Sequence, residues 1–339
     1  MNCYRVKLVS RGSTQTSFSF YRQQSPNNLG KWNHCQFIFD PLEKDYDWFV
    51  IIDNMPTILP NTTEELKCPK ENTILVTTEP SSISRYGKGF AGQFNYLITN
   101  QNEKTLPHVN AIRSQTGIYW LYGKDFDAIV SDIDLPKTKK LSTICSSKRS
   151  GHTIHKKRFD FTKIMEEEIP ELDRFGRGFK FIEQKSEALD EYEFHVVIEN
   201  HIEKHMWSEK LADAFLGFTI PIYYGCPNIY DYFPEDSIIL IDINDIESSI
   251  ETIKKIISTP GEYQRRFEAL KEARRRVIYE YNLLAMISNI VEKSPKHEVT
   301  PGVKIFSRRK MRAKNISDFI QFSCFKINNF VKNMVSKFQ

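Results

Sequence analysis

Cysteine is scarce and scattered in this 339-residue sequence, with six residues (Cys3, Cys35, Cys68, Cys145, Cys226, Cys324) at spacings that suit neither a metal site nor a disulfide framework. They read as reduced intracellular thiols. Long apolar runs are also lacking. Nothing approaches the roughly 18 consecutive apolar residues of a spanning helix. The opening stretch, MNCYRVKLVSRGSTQTSFSF, has no charged start followed by an apolar core, so it does not read as a secretory leader. Acidic residues are nearly missing from one region. The chain carries a formal net charge of +4, yet residues 301–339 hold nine Lys or Arg against the single acid Asp318, a local +8 that leaves −4 on residues 1–300. Basic character therefore belongs to the tail. Composition is otherwise that of a globular protein, at 40% hydrophobic and 27% charged, and the length calls for two domains.

Short β-rich runs recur and close on polar residues: Tyr4–Val9, Gln36–Phe39, Trp48–Ile52, Thr73–Thr78 and Phe94–Thr99. Such a series predicts an open α/β sheet. Ser81–Phe90, with Arg85, Gly87, Lys88 and Gly89, reads as a mobile loop. Asp125–Lys140 loses the apolar rhythm and is expected to cross between domains, giving divisions at 1–135, 136–300 and a tail of 301–339. Beyond it, Leu141–Cys145 reads as a strand leading to Ser146-Ser147-Lys148-Arg149, and His152–Glu168 as a helix carrying His155, Lys156, Lys157 and Arg158. Ser237–Ile243 reads as a strand, Asp245 as a helix cap, and Glu262–Ile290 as one long, charged, solvated helix.

The most informative stretch is Phe194–Pro234. Phe194–Ile198 is too short and β-branched for a helix and predicts a buried strand ending at Glu199-Asn200. Ser208-Glu209-Lys210 opens a helix with Leu211, Phe215 and Phe218 on its apolar face, and Thr219–Tyr224 is a second strand stopped by Gly225. In a βαβ unit of this kind, ligands sit at the C-terminal strand ends beside helix N-termini that attract phosphate. Glu199, Asn200, Glu209 and Lys210 would share that rim, the cation suiting a diphosphate and the carboxylate and amide suiting sugar or ribose hydroxyls. The competing reading makes Ser208 an N-cap, Glu209 a partner of the helix dipole and Lys210 a solvated charge.

Glu79 stands where the strand Thr73–Thr78 meets Pro80, and a strand-end carboxylate facing a cleft can take a proton from a hydroxyl. Strand-end acids are also common without such a role. In the tail, Ile316, Phe319, Ile320, Ser323, Ile327, Phe330, Val331 and Met334 recur at helical spacing, with Lys314, Lys326, Lys332 and Lys337 between them. An apolar stripe with basic flanks suits an anionic membrane surface through residues 314–339. A helix docked on protein, and a nucleic-acid contact without any stacking or phosphate-loop motif, are the alternatives.

The central stretch resembles the donor-binding signature of the family 10 glycosyltransferases, the α-1,3/4-fucosyltransferases. It does so in Glu199-Asn200, Ser208-Glu209-Lys210-Leu211, Asp213-Ala214-Phe215 and Thr219-Ile220-Pro221-Ile222-Tyr223-Tyr224-Gly225. ILVTTEP followed by FNYLIT resembles the segment that carries the family's proposed base glutamate, here Glu79. Arg158 before Phe159 fits the arginine that contacts the donor diphosphate, and DRFGRG at Asp173–Gly178 resembles D-x-[YF]-G-[RK]. Departures are Ser147 in place of an asparagine, His201 in place of a serine, and Met206-Trp207 in place of Tyr-Val. The resemblance implies a GT-B-like α/β fold, two Rossmann-like domains facing across a cleft, with the basic amphipathic tail appended. It further implies inverting transfer of L-fucose from GDP-β-L-fucose to O3 or O4 of GlcNAc or Glc, on an oligosaccharide, glycolipid or lipopolysaccharide. In that scheme Glu79 is the catalytic base and Arg158, Glu199, Asn200, Ser208, Glu209 and Lys210 bind the donor. No cofactor is needed, and without a His/Cys cluster no metal is demanded. Lacking an anchor, such an enzyme is expected in the bacterial cytoplasm, peripheral at the inner face of the membrane, with no nucleic-acid partner. A different nucleotide-activated sugar, and a non-catalytic sugar-binding or membrane-associated scaffold, remain the rival readings.

Overall fold

The computed structural model describes residues 3–14, 19–147 and 154–335. Lys148, Arg149 and His152, and the tail's Lys337, lie outside them. The chain forms two compact units, Met1–Tyr119 with Tyr281–Gln339, and Trp120–Glu280.

The first unit opens with β1 (Tyr4–Ser10), α1 (Ser19–Gln23), β2 (Lys31–Trp32), β3 (Cys35–Ile38) and β4 (Trp48–Ile52). It continues with β5 (Thr63–Glu65), β6 (Thr73–Val76), α2 (Lys88–Ala91), β7 (Tyr96–Thr99) and β8 (Ala111–Arg113). Seven strands make a sheet in the order β2-β3-β1-β4-β6-β7-β8, parallel except between β2 and β3. The apolar runs WFVII and TILV are buried throughout, as parallel strands covered on both faces must be. One buried exception is Lys7, whose Nζ lies 3.0 Å from the buried Glu64 carboxylate.

The second unit begins with α3 (Phe126–Ser131), capped by the Asp125 carboxylate accepting from the Ala128 N–H. It continues through β9 (Lys139–Ile144), α4 (His155–Glu168), β10 (Leu172–Phe175), β11 (Tyr192–Ile198), α5 (Glu209–Leu216), β12 (Ile220–Tyr224) and β13 (Ile239–Leu240). It ends with α6 (Ile246–Ser258) and α7 (Glu262–Tyr279). Its five strands are parallel in the order β10-β9-β11-β12-β13. The chain is thus mixed α/β with two largely parallel sheets.

Three expectations change. The division falls ahead of Asp125–Lys140 rather than at 135/136, because the capped helix α3 packs within the second unit. Glu262–Ile290 is two helices: Asn282 is extended and buried, accepts from the Leu284 N–H and donates Nδ2 to Gln24 O at 2.8 Å. That break starts α8 (Leu283–Lys293), which returns the chain to the first unit and packs on β2 and β3. The tail is likewise not a separate body. β14 (Lys304–Phe306) pairs antiparallel with β5, and α9 (Arg308–Lys314) and α10 (Ile316–Val335) follow it in the first unit.

α10 has two different faces. Asp318 is buried, and its carboxylate accepts from the N–H groups of Gly89 and Phe90, capping the short helix α2. The backbone at Gly87, with φ +89, favours glycine, and a Cβ on Gly87 or Gly89 would fall 2.5 Å from the side chain of Asp318 or Asn315. The stripe Ile316, Phe319, Ile320, Ile327 and Phe330 is instead exposed, from 52% at Phe319 to 71% at Ile316.

Candidate active site

In the second unit, the loops after β11 and β12 and the starts of α4 and α5 gather at the C-terminal edge of the sheet, where open α/β sheets bind ligands. Glu199 follows β11 and is buried. Its two carboxylate oxygens accept from the Ser208 N–H at 2.7 Å and the Ser208 hydroxyl at 2.6 Å, so Glu199 ties the β11 strand end to the first residue of the α5 cap. Ser208 Oγ also accepts from the Lys210 N–H. The serine's polar groups are therefore engaged within the chain, as an N-cap's are. Gly225 makes the packing possible, since a Cβ there would lie 2.3 Å from the Tyr223 hydroxyl and 2.6 Å from Glu199 Cγ.

Lys210 Nζ lies 3.0 Å from Glu209 and 3.8 Å from Glu199. Burial pulls the Lys210 pKa down, but the two carboxylates outweigh it and the net shift is upward. Glu209 moves the other way: burial raises its pKa, but Lys210 and Lys185 together outweigh that and the net shift is down. For Glu199, burial prevails over Lys210 and the pKa rises. Arg158, in the first turn of α4, is buried and donates Nη1 to Asn200 Oδ1 at 2.9 Å. Its Nε is buried with no partner among the described residues, and its charge is felt at Lys210. The two cations 52 positions apart in the chain thus belong to one rim, joined through Asn200, Glu199 and Ser208.

Lys185 and Asp213 complete the rim. Lys185 Nζ lies 2.6 Å from Asp213 and 3.9 Å from Glu209. Burial raises the Asp213 pKa to about 6, opposed by Lys185. Lys185 precedes β11 in a turn with no periodicity to mark it, whereas Asp213 belongs to the Asp-Ala-Phe element of the sequence motif. Arg174 stacks on Phe179 and Phe159, at 3.7 and 5.0 Å to the ring centroids, and Gly176 after it has φ +128 with no room for a Cβ beside Cys145 O.

The first unit carries Glu79 three positions beyond β6. Its N–H donates to the Tyr86 hydroxyl at 3.3 Å and its carbonyl accepts from Gln101 Nε2 at 2.9 Å. Among the described residues its carboxylate has no hydrogen-bond or ion-pair partner. The side chain is exposed, yet the surrounding protein and then Asp53 raise its pKa. Asp53 is the opposite case: its carboxylate accepts from Thr78 N at 2.8 Å, Thr78 Oγ1 at 2.5 Å and the Tyr86 hydroxyl at 2.5 Å. The segment expected to be mobile is fastened here. Gln101 Nε2 bridges the carbonyls of Glu79 and Ser84, and Arg308 donates to Ser84 Oγ and Arg85 O while stacking on Tyr86. Among the described residues, no group of three or more His, Cys, Asp and Glu is placed to hold a metal ion.

Residues 135–293 match the family described as "Glycosyltransferase family 10 (fucosyltransferase) C-term". An alpha-(1,3)-fucosyltransferase FucT of Helicobacter pylori is 30% identical over 83 residues, 24% of this chain and 17% of that protein's length. A solved structure described as an alpha1,3-fucosyltransferase aligns over 95% of this chain and 90% of its own at 16% identity, with a TM-score of 0.48. An alpha-glucosyltransferase in complex with UDP-glucose and DNA aligns over 86% of this chain and 100% of its own at 13% identity, with a TM-score of 0.49.

Proposed function

We propose that this chain, with a family 10 domain in residues 135–293, is an inverting fucosyltransferase that uses GDP-β-L-fucose and a glycan hydroxyl, O3 or O4 of GlcNAc or Glc. The observation that carries the reading is Arg158: a buried guanidinium bonded to Asn200, with Nε unpartnered among the described residues, beside Lys210 at the start of α5. A buried cation left with an open donor and no carboxylate suits a diphosphate oxygen, which takes up charge as the leaving group departs. Lys210 adds a second cation. Asn200 and Glu209 hold sugar or ribose hydroxyls, while Glu199 and Ser208 set the loop. In a single displacement the acceptor oxygen bonds to the anomeric carbon as the carbon–phosphate oxygen bond breaks, and the acceptor's proton passes to Glu79. Glu79 suits that part because its carboxylate is uncommitted among the described residues and its pKa is raised.

The exposed stripe on α10 and the tail's +8 charge support peripheral contact with an anionic membrane from the cytoplasmic side of a bacterial cell, where a glycolipid or lipopolysaccharide acceptor is met. Among the described residues, no helix is long and apolar enough to cross a membrane. Transfer assays with GDP-fucose, GDP-mannose and UDP-sugars test the donor. Product with GDP-fucose alone is expected; turnover with another sugar and none with fucose favours a related transferase, and His201 and Met206-Trp207 are where its pocket would differ.

A further inference from the structure

A second cluster of charge lies in the first unit, apart from the rim that carries Arg158 and Lys210, and it includes the Arg308 that holds Ser84 and Arg85. Arg11, Arg85, Arg308, Arg312 and Lys326 line a cavity of about 240 Å³, walled on one side by Phe322 and Phe325 and without an Asp or Glu in its lining. Among the described residues none of the five is in an ion pair. The nearest acids are committed elsewhere: Asp53 to Thr78 and Tyr86, Asp318 to the N–H groups of α2. The arginines oppose one another. Burial lowers the pKa of Arg308 with Arg11 adding to it, and burial lowers that of Arg312 with Arg308 next. Arg308 Nε is buried and has no partner among the described residues. Cations crowded together without carboxylates, one with an unsatisfied buried donor, hold a site for an anion.

Position separates this site from the membrane-facing stripe. Arg11 follows β1, Asn54 follows β4, and Ser84 and Arg85 follow β6, so the cavity opens at the C-terminal strand ends, on the edge that carries Glu79. The same Gln101 amide holds the carbonyls of Glu79 and Ser84 at 2.9 and 3.0 Å. Phe322 and Phe325 are part-buried under Arg312 and Arg85, at 3.9 and 5.8 Å to the ring centroids, whereas the apolar stripe of α10 is exposed on the other side of the helix.

We propose that this cavity is an acceptor subsite for an anionic substituent, a phosphate or a carboxylate, so that the glycan glycosylated beside Glu79 is an acidic one. The rings of Phe322 and Phe325 give a sugar face an apolar surface next to the bound anion. The proposal rests on Glu79 being the acceptor-side base, and its test separates the two. Inorganic phosphate is titrated calorimetrically into the full chain, into Arg11→Gln/Arg312→Gln, and into Arg158→Gln/Lys210→Gln, with circular dichroism confirming that each is folded. Phosphate affinity is expected to fall roughly tenfold per cavity arginine removed and a phosphate site to survive in the Arg158/Lys210 variant, whether or not fucose is transferred. No phosphate binding, or equal loss in both variants, overturns the subsite. With phosphorylated and neutral acceptors, the ratio of their kcat/KM values is expected to fall roughly tenfold or more in Arg11→Gln/Arg312→Gln. An unchanged ratio together with lost binding to phosphatidylglycerol vesicles overturns the acceptor role and assigns the cavity to a lipid headgroup.

Discussion

The two units solve the same problem by opposite routes. Each places polar side chains at the C-terminal edge of a parallel sheet, but the second unit builds its rim chiefly from one strand–loop–helix stretch, Glu199 to Asp213, with Arg158 and Lys185 added. The first unit builds its site from segments far apart. Asp53, Glu79, Tyr86, Gln101, Arg308 and Asp318 meet through contacts that span up to 229 positions. A rim made locally keeps its geometry from a cap and a strand end; one made at long range depends on the tail returning. The buried titratable groups of the two sheets differ in kind as well. Lys7 on β1 is buried as an ion pair with Glu64, while His195 on β11 is buried beside the Ser142 hydroxyl at 2.7 Å.

The sharpest contrast is chemical. Glu79→Gln is expected to lower kcat about 10²–10⁴-fold with the donor KM little changed, read from steady-state kinetics. A donor KM that rises in parallel would break the assignment of roles to the two units. Next in size, Glu64→Leu leaves Lys7 buried without its carboxylate and is expected to cost about 3–5 kcal/mol, seen as a lower denaturation midpoint in urea. Burial lowers the His195 pKa to about 3 from 6.5. The unfolded chain therefore binds the extra proton first, and stability falls as pH drops below 6.5. From pH 7 to pH 5 this residue alone contributes a loss of about 2 kcal/mol. The stability of the wild type relative to His195→Gln should shift by that amount in urea titrations at the two pH values, and an unchanged gap would mean the imidazole is not held neutral. Smallest, Asp318→Ala removes the cap of α2 and is expected to cost about 1 kcal/mol locally, measured as faster hydrogen exchange at the Gly89 and Phe90 amides.

The same contrast explains what the sequence discloses. β4 is read to the residue from WFVII, and β1, β6, β9, β11 and β12 to within a few positions, because β-branched runs mark strands buried on both faces. Asp245 caps α6 as its position suggests. Arg158, Asn200, Glu199, Glu209 and Lys210 are all legible, since the motif lies largely within one βαβ unit whose geometry is general. Lys185 leaves no mark because its partner Asp213 is 28 positions away. Arg308 and Asp318 enter the sequence reading only in the charge count of the tail, although one grips the Glu79 loop and the other caps α2. Periodicity reports which side of a helix is apolar and not what covers it, so the docked and exposed faces of α10 are told apart only by the fold. The break at Asn282 is hidden for a similar reason: the asparagine is one polar residue in a long charged run, and its Gln24 partner lies 258 positions earlier.

The division of labour between the units is tested most directly by calorimetric titration of GDP into the wild-type chain, Lys210→Ala and Glu79→Gln. GDP affinity is expected to fall by roughly tenfold or more in Lys210→Ala and to remain at the wild-type value in Glu79→Gln. Wild-type affinity in Lys210→Ala, or lost affinity in Glu79→Gln, would contradict it.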